Sequence, residues 1–313
     1  MPQLTIVVPA YNEEEVLPST LERLIKIEDQ MKANGEIDYG SNILVVSDGS
    51  TDQTWQIVKR WHEKTSAVDG LQFSRNFGHQ QALLAGMKAA VDRAYLVITI
   101  DADLQDDPDC IPQMISDYRA GSEIVYGVRN NRQSDSWFKR NSAEAYYGLL
   151  KHLGVDLVAD SADFRMMDAR AVHEFLKFSE RNLFIRGMVP KLGFKTAKVY
   201  YKRTPRQAGT SKYPLKKMLA LAWNGITSLT VVPLRMILWT GAVACLLAVL
   251  MGIYSIVGRL AGISSFGWSP LMISLWLIGG TQLMSIGLVG EYVGKVMVEV
   301  KHRPRYIVQS RLF

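Results

Sequence analysis

Cysteine is nearly missing: Cys110 and Cys245 are the only two in 313 residues, and they fit neither a disulfide framework nor a zinc site. Cys245 lies inside an apolar run. Cys110 follows an acidic stretch, where packing is a better role than nucleophilic attack. A reducing cytoplasm suits the globular part. The chain start lacks a basic n-region and a cleavage site and runs straight into Leu4-Thr5-Ile6-Val7-Val8, so no signal peptide is expected. Acidic side chains are absent from Lys198 to Arg235, a stretch with eight Lys or Arg at 198, 202, 203, 206, 212, 216, 217 and 235. One-signed charge beside apolar segments fits anionic headgroups or a phosphorylated ligand. Nucleic acid would leave the apolar runs unexplained and is not expected as a partner. A hydrophobic share of 48% is ordinary for a soluble chain and excludes a multi-span transporter.

Four short apolar runs, Leu4–Pro9, Asn42–Val46, Tyr95–Ile100 and Glu123–Gly127, predict parallel strands covered on both faces. Helical patterns at Val16–Lys32, Thr51–Lys64, Gln80–Asp92 and Pro112–Arg119 separate them, an alternation that predicts a doubly wound α/β sheet. Further helices are expected near Ser142–Leu153 and Ala169–Leu176, and a strand over Thr196–Lys202. Residues 1–213 form the expected catalytic domain, followed by an amphipathic interfacial helix over 214–233 that Pro233 should end.

The last third holds two long uncharged runs, Met236–Val257 and Leu260–Gly290. They predict two membrane spans, about 236–257 and 270–290, each reaching about 30 Å at about 1.5 Å per residue. Gly279-Gly280 would let the two pack closely. Lys212, Lys216, Lys217 and Arg235 precede the first span, and Lys295, Lys301, Arg303, Arg305 and Arg311 follow the second; the loop between has Arg259 alone. Positive residues stay cytoplasmic. The expectation is a multi-pass protein of the inner membrane, its catalytic domain and basic tail (293–313) facing the cytoplasm.

In open parallel sheets, ligands bind at the carboxyl ends of strands. The first predicted strand runs into Pro9-Ala10-Tyr11-Asn12-Glu13-Glu14. Asn12 could cap the next helix, and Glu14 and Glu15 could favour its dipole. The second ends in Ser47-Asp48-Gly49-Ser50-Thr51-Asp52, which a simple turn would use equally well. The third ends in Asp101-Ala102-Asp103-Leu104-Gln105-Asp106-Asp107. So many carboxylates repel one another unless a cation compensates them. Mg²⁺ takes one or two carboxylates plus substrate phosphates; at such a strand end Asp101 can reach the ribose or bound water, and Asp103 the metal.

These motifs, with Ser74-Arg75-Asn76-Phe77-Gly78-His79, Asp160 to Met167 and Arg206 to Tyr213, resemble family 2 glycosyltransferases with a GT-A fold. The nearest subgroup is the polyprenyl-phosphate glycosyltransferases, which include bactoprenol glucosyltransferases and dolichol-phosphate mannose synthases. The resemblance implies inverting transfer of a sugar from a nucleotide-sugar donor to a polyprenyl phosphate, with Mg²⁺ or Mn²⁺. The product would serve cell-envelope glycan modification. It puts Pro9, Tyr11, Glu13 and Asp48 on the nucleotide, and Asp101, Asp103 and Gln105 around the metal and diphosphate. UDP-glucose is the first-choice donor, then UDP-N-acetylglucosamine and GDP-mannose. A homo-oligomer is compatible with all of this. A catalytically inactive nucleotide-sugar-binding membrane scaffold is the reading of another class. A processive synthase would need a Gln-x-x-Arg-Trp motif and more spans. A nucleotidyltransferase would need a Gly-rich phosphate loop after the first strand.

Asp163 is the base that the resemblance implies, yet a phosphate with a second pKa of about 6 hardly needs one at neutral pH. Its expected role is to orient a substrate and stabilise an oxocarbenium-like transition state; the bland alternative is a structural Asp bonded to Arg165. For the acceptor phosphate the candidates are Arg129 at the end of the fourth strand, then Arg140, Arg206 and Lys212. His79 could touch the diphosphate or the sugar, or be a turn histidine.

Overall fold

The computed structural model describes residues 1–130, 158, 161–181, 184–202, 227, 231–261 and 268–313. They fall into two compact units, Met1–Met218 with Pro304–Phe313, and Leu219–Arg303. Arg140, Arg206, Lys212, the Ser142–Leu153 helix and nearly all of the interfacial helix lie outside the described residues.

The first unit is built on one eight-stranded sheet in the order β7-β5-β6-β4-β1-β2-β3-β8. The strands are β1 (Leu4–Ala10), β2 (Asn42–Ser47), β3 (Val68–Phe73), β4 (Leu96–Thr99), β5 (Ile124–Arg129), β6 (Ser161–Asp168), β7 (Thr196–Tyr201) and β8 (Val308–Leu312). β1, β2, β3 and β4 pair in parallel, as do β5 and β7. β6 runs antiparallel between β4 and β5, and β8 antiparallel to β3. The helices are α1 (Leu17–Ala33), α2 (Thr54–Lys64), α3 (His79–Val91), α4 (Ile111–Arg119), α5 (Ala169–Leu176) and the single turn α6 (Ile185–Met188).

All of β1 is buried, because helices cover both faces. Leu4, Ile6 and Val8 share a core with Leu17, Leu21 and Leu24 of α1, Trp55 and Val58 of α2, and Ile111 and Met114 of α4. Val7 and Val46 face the other way, onto α3. A Cβ added to Gly86 would stand 2.2 Å from Val7 Cγ1, so α3 can lie this close only through glycine. The mainly parallel sheet with helices on both faces is the predicted fold class.

The structure departs from the expectation in instructive places. Three strands are additional: β3, interrupted by Asp69 and Gly70, β6 and β8. The β6 insertion matters most. Running antiparallel, it brings its amino end, with Asp163, to the edge where β1, β2, β4 and β5 have their carboxyl ends. The expected basic tail is not a separate tail. Val308, Ser310 and Leu312 turn inward at every second position, as a strand requires, and Gly70 to Phe73 pair with them. Asn12 does not cap α1, which starts at Leu17. It sits at φ 54°, and its Oδ1 accepts the Thr51 N–H at 2.9 Å, tying the loop after β1 to the loop after β2. Glu14 likewise accepts from Gln53 N at 2.9 Å, at the start of α2.

The second unit contains α7 (Val232–Leu260) and α8 (Trp268–Val300). Pro233 lies in the first turn of α7, where its missing N–H costs nothing; the helix that it was expected to end lies outside the described residues. Val232–Met251 has a mean hydropathy of 2.1 with none of it buried, and Leu238 and Trp239 are more than two-thirds exposed. Among the described residues this is one helix long and apolar enough to cross a membrane. A Cβ on Gly279 or Gly280 would meet nothing within 4 Å among the described residues, so the close helix approach expected there is not made by the part of the chain that is described.

Candidate active site

Asp48 follows β2 directly and is 3% exposed. Its two oxygens accept the backbone N–H groups of Phe77 at 2.7 Å and Gly78 at 2.9 Å. Burial raises its pKa, and those two bonds oppose the rise. Gly49 is at φ 63°, and an added Cβ would fall 2.1 Å from the Arg75 carbonyl carbon. The Asp-Gly-Ser turn thus holds the 74–79 loop against the strand ends. That loop has a second support: Tyr306 stacks on Phe73 at 5.0 Å between centroids, and Ser74 N donates to Ile307 O at 3.1 Å. Pro9 is buried, Glu13 half-buried and Tyr11 39% exposed at the same edge.

Past β4, Asp101 and Asp103 flank a sharp bend. Leu104 takes φ 52°, a left-handed conformation that costs a side-chain-bearing residue about 1–2 kcal/mol. The bend aims the Gln105 N–H at Asp103 Oδ1, 3.2 Å away. Among the described residues Asp101 Oδ1 is buried without a hydrogen-bond partner; His79 Nε2 stands 3.5 Å off. Burial pushes the Asp101 carboxyl up to about 6, His79 opposes this, and the charges of Asp163, Asp106 and Asp103 add to it. A half-buried carboxylate among carboxylates, with one buried oxygen short of a donor, suits a cation. Among the described residues no group of three or more His, Cys, Asp or Glu forms a metal cage. A two-carboxylate site completed by substrate phosphates fits the residues present.

Among the described residues Asp163 is the most heavily bonded carboxylate. Its Oδ1 accepts from Arg165 Nη2 at 2.7 Å and Arg186 Nε at 3.0 Å, and its Oδ2 from Arg186 Nη2 at 2.8 Å. His79 Nε2 lies 3.3 Å from Oδ2. Thr99 Oγ1 donates to its backbone carbonyl. Burial alone would raise its pKa, but the His79 bond and the charges of Arg186 and Arg165 outweigh burial and hold it well below the carboxylate range. His79, first residue of α3, is moved the other way: burial lowers its pKa, and the Asp163 bond with the Asp101 and Asp163 charges gives a net rise. The expected Arg165–Asp163 pair is therefore present, joined by His79, expected as a substrate contact or a turn histidine, and by Arg186, which the sequence did not single out.

Arg129 ends β5 as expected, but with its guanidinium engaged. Its Nε and Nη2 donate to Asp106 Oδ1 at 3.0 and 2.8 Å, and Tyr201 Oη donates to the same oxygen at 2.6 Å. Asp106 is 1% exposed. Burial and the Asp106 charge raise the Tyr201 pKa, so the phenol keeps its proton.

The Glycosyl transferase family 2 model matches residues 5–176. A Bacillus subtilis relative, the uncharacterized glycosyltransferase YkoT, is 46% identical over 100% of this chain and 93% of its own length. The chain belongs to glycosyl transferase family 2. The bactoprenol glucosyl transferase of Shigella phage SfX is 35% identical over 99% of both chains. A Shigella flexneri prophage-derived bactoprenol glucosyl transferase is 36% identical over 98% of both. In this family 2 glycosyltransferase the matched region spans β1 to α5 and takes in Asp48, His79, Asp101, Asp103, Arg129 and Asp163. Arg186 and Tyr201 lie beyond it.

Proposed function

We propose that this glycosyltransferase moves glucose from UDP-glucose to undecaprenyl phosphate with inversion at the anomeric carbon. The observation that carries the reading is the match to bactoprenol glucosyl transferases over 98–99% of both chains, apolar helices included. The multi-pass arrangement belongs to this proposal: α7 and part of α8 span the bilayer, and the catalytic unit stays on the cytoplasmic side. A polyprenyl phosphate keeps its chain in the bilayer and its phosphate at the surface, so an anchored enzyme meets the acceptor at that height.

Pro9, Tyr11, Glu13 and Asp48 line the nucleotide, with Asp48 also holding the wall formed by residues 77–78. Asp101 and Asp103, with Gln105 beside them, would hold Mg²⁺ or Mn²⁺. When bound, such an ion neutralises charge on the departing diphosphate. The acceptor phosphate is mostly ionised at neutral pH, so no side chain need take a proton from it. Asp163 fits that demand. It is ionised, and it accepts from two arginines, which makes it a fixed negative charge for a sugar that gains positive character. Arg129 meets the acceptor phosphate with its guanidinium plane set by Asp106 and Tyr201. Arg140, Arg206 and Lys212 supply further positive charge.

The test is transfer of radiolabelled sugar from a panel of UDP- and GDP-sugars to undecaprenyl phosphate, with Mg²⁺ or Mn²⁺ against EDTA. A lipid-extractable glucose product that EDTA abolishes is expected. Preference for UDP-N-acetylglucosamine or GDP-mannose would replace the donor alone. No product from any donor, with Asp103→Ala like wild type, would leave an inactive nucleotide-sugar-binding scaffold.

A further inference from the structure

Arg75 lies on the loop between β3 and α3 and has no part in the reaction outlined above. It is exposed, yet it is not loose. Its Cζ stands 4.0 Å over the centre of the Phe77 ring, and its Nη1 donates to Asn76 O at 3.0 Å. Phe77 is held in turn. Its ring meets Phe73 edge-on at 5.7 Å between centroids, and its N–H is one of the two that Asp48 accepts. A guanidinium seated on an aromatic ring keeps a second flat face for a ligand.

The order of the strands indicates which part of a ligand would meet that face. β4, β1, β2 and β3 are consecutive neighbours in the sheet. With the donor diphosphate beside the carboxylates after β4, as proposed above, the nucleoside extends across β1 and β2 toward β3, and its base comes last. Strands lie about 4.8 Å apart, so the ends of β1 and β3 are about 10 Å apart. A flat base covered on both faces takes about 7 Å, twice the stacking step of roughly 3.4 Å. Exposed planar groups stand at both ends: Tyr11, 39% exposed, after β1, and Arg75 after β3. Asp48, after β2, lies between them. It is 3% exposed and both its oxygens accept backbone N–H groups, so it can floor a slot better than it can cover a base. Burial raises its pKa, and the Arg75 charge is among those that oppose the rise, which keeps Arg75 near that floor. The Thr51–Asn12 and Phe77–Asp48 bonds tie the three loops to one another. Such a slot is set before a ligand arrives, and little ordering cost is left for binding.

We propose that Arg75 is a nucleobase-binding residue: its guanidinium covers one face of the donor base and Tyr11 the other, above a floor made by Asp48. The inference rests on the nucleotide-sugar reading above and deepens it. The contact is made with the face of the base, so it does not choose among bases.

The experiment is calorimetric binding to the full-length protein in detergent with Mg²⁺, using UDP and GDP as separate probes. The proteins are wild type, Arg75→Ala, Arg75→Lys and, as a surface-charge control, Arg60→Ala on α2. Arg75→Lys keeps the charge and loses the planar group, and it carries the test should Arg75→Ala fail to fold. Loss of one stacking partner predicts binding weaker by about 10-fold for whichever nucleotide wild type binds, in both Arg75 variants, with Arg60→Ala unchanged. Full recovery in Arg75→Lys would overturn the inference and make Arg75 a source of charge alone. Unchanged affinity in folded Arg75→Ala would overturn it too, leaving a brace for the loop. If wild type bound neither nucleotide, the inference and the donor reading would fall together. Binding needs no turnover. A missing transfer product with Arg75-dependent nucleotide binding intact would count against the proposed reaction and leave this assignment standing.

Discussion

Replacing Asp163 by Asn separates two roles that a rate measurement alone would confuse. A general base lost to Asn costs rate and little else. An anchor lost to Asn costs stability too, because its partners are left behind. Arg165 is 2% exposed, and its Nη2 donates to Asp163 Oδ1 at 2.7 Å, so the substitution strands a buried guanidinium. Removing one partner of a buried ion pair costs about 3–5 kcal/mol, a large share of the roughly 5–15 kcal/mol that holds a domain folded. The Asn amide also turns a donor toward Arg186 or His79, where an acceptor stood. The expected outcome is a clear drop in the thermal midpoint of the detergent-solubilised protein together with loss of transfer. The double variant Asp163→Asn with Arg165→Met removes the stranded charge and should regain stability over Asp163→Asn alone, without regaining activity. Thermal unfolding followed by tryptophan fluorescence reads all three proteins. If Asp163→Asn melts with wild type, or if Arg165→Met deepens its loss, the anchor reasoning is wrong.

Glu28 offers a pH test away from the site. It is 1% exposed, paired with Lys32 at 2.6 Å, and burial raises its pKa from 4.5 to about 7. A raised folded-state value means the native state holds the proton longer than the unfolded chain. Its stabilisation is therefore whole below about 4.3 and is lost as pH rises through about 7, a loss on the order of 3 kcal/mol. Glu28→Gln should flatten the fall in thermal midpoint between pH 5 and 8. Gly49→Ala forces a side chain into φ 63° and 2.1 Å from the Arg75 backbone; it should destabilise by more than about 1 kcal/mol and weaken UDP binding by displacing the 74–79 loop, as calorimetry would report. Deleting Pro304–Phe313 removes β8 and the Tyr306–Phe73 stack, and should lower both the thermal midpoint and nucleotide affinity. Loss of stability with UDP binding intact would mean that β8 does not support the donor loop.

β1, β2, β4 and β5 were legible because they are continuous Val/Ile-rich runs between helical periods. β3, β6 and β8 were not. β3 carries Asp69 and Gly70 inside it, and Gly70 is there because Val58 Cγ1 would stand 2.8 Å from a Cβ, a long-range contact without a local signature. β8 has the alternation of a strand, but Arg311 within it and Arg303 and Arg305 before it gave the segment the composition of a tail. β6 hides best: Asp163 and Arg165 are both on it and both buried, so a strand buried on two faces does not present a purely apolar run. A segment that has to bury an ion pair cannot announce itself by hydrophobicity.

The same reasoning explains which site residues could be found in advance. Asp48, Asp101 and Asp103 stand at the ends of recognisable strands, so a local pattern locates them. His79 follows a recognisable loop, but its role exists only where α3 points at the start of β6. Arg186 comes from a single turn, α6, far from any strand end in sequence, and no pattern within its own segment distinguishes it from a surface arginine. Arg129 was found as a residue, while its environment was not: Asp106 comes from the bend after β4 and Tyr201 from the far edge strand β7. Pairing the arginine with Asp106 lowers its pull on a phosphate and raises its orientation, a trade that suits a residue selecting the geometry of an acceptor more than one attracting it from a distance. In the proposed reaction the long-range attraction then falls to the one-signed run from Lys198 to Arg235, whose sequence contains no carboxylate that could neutralise it.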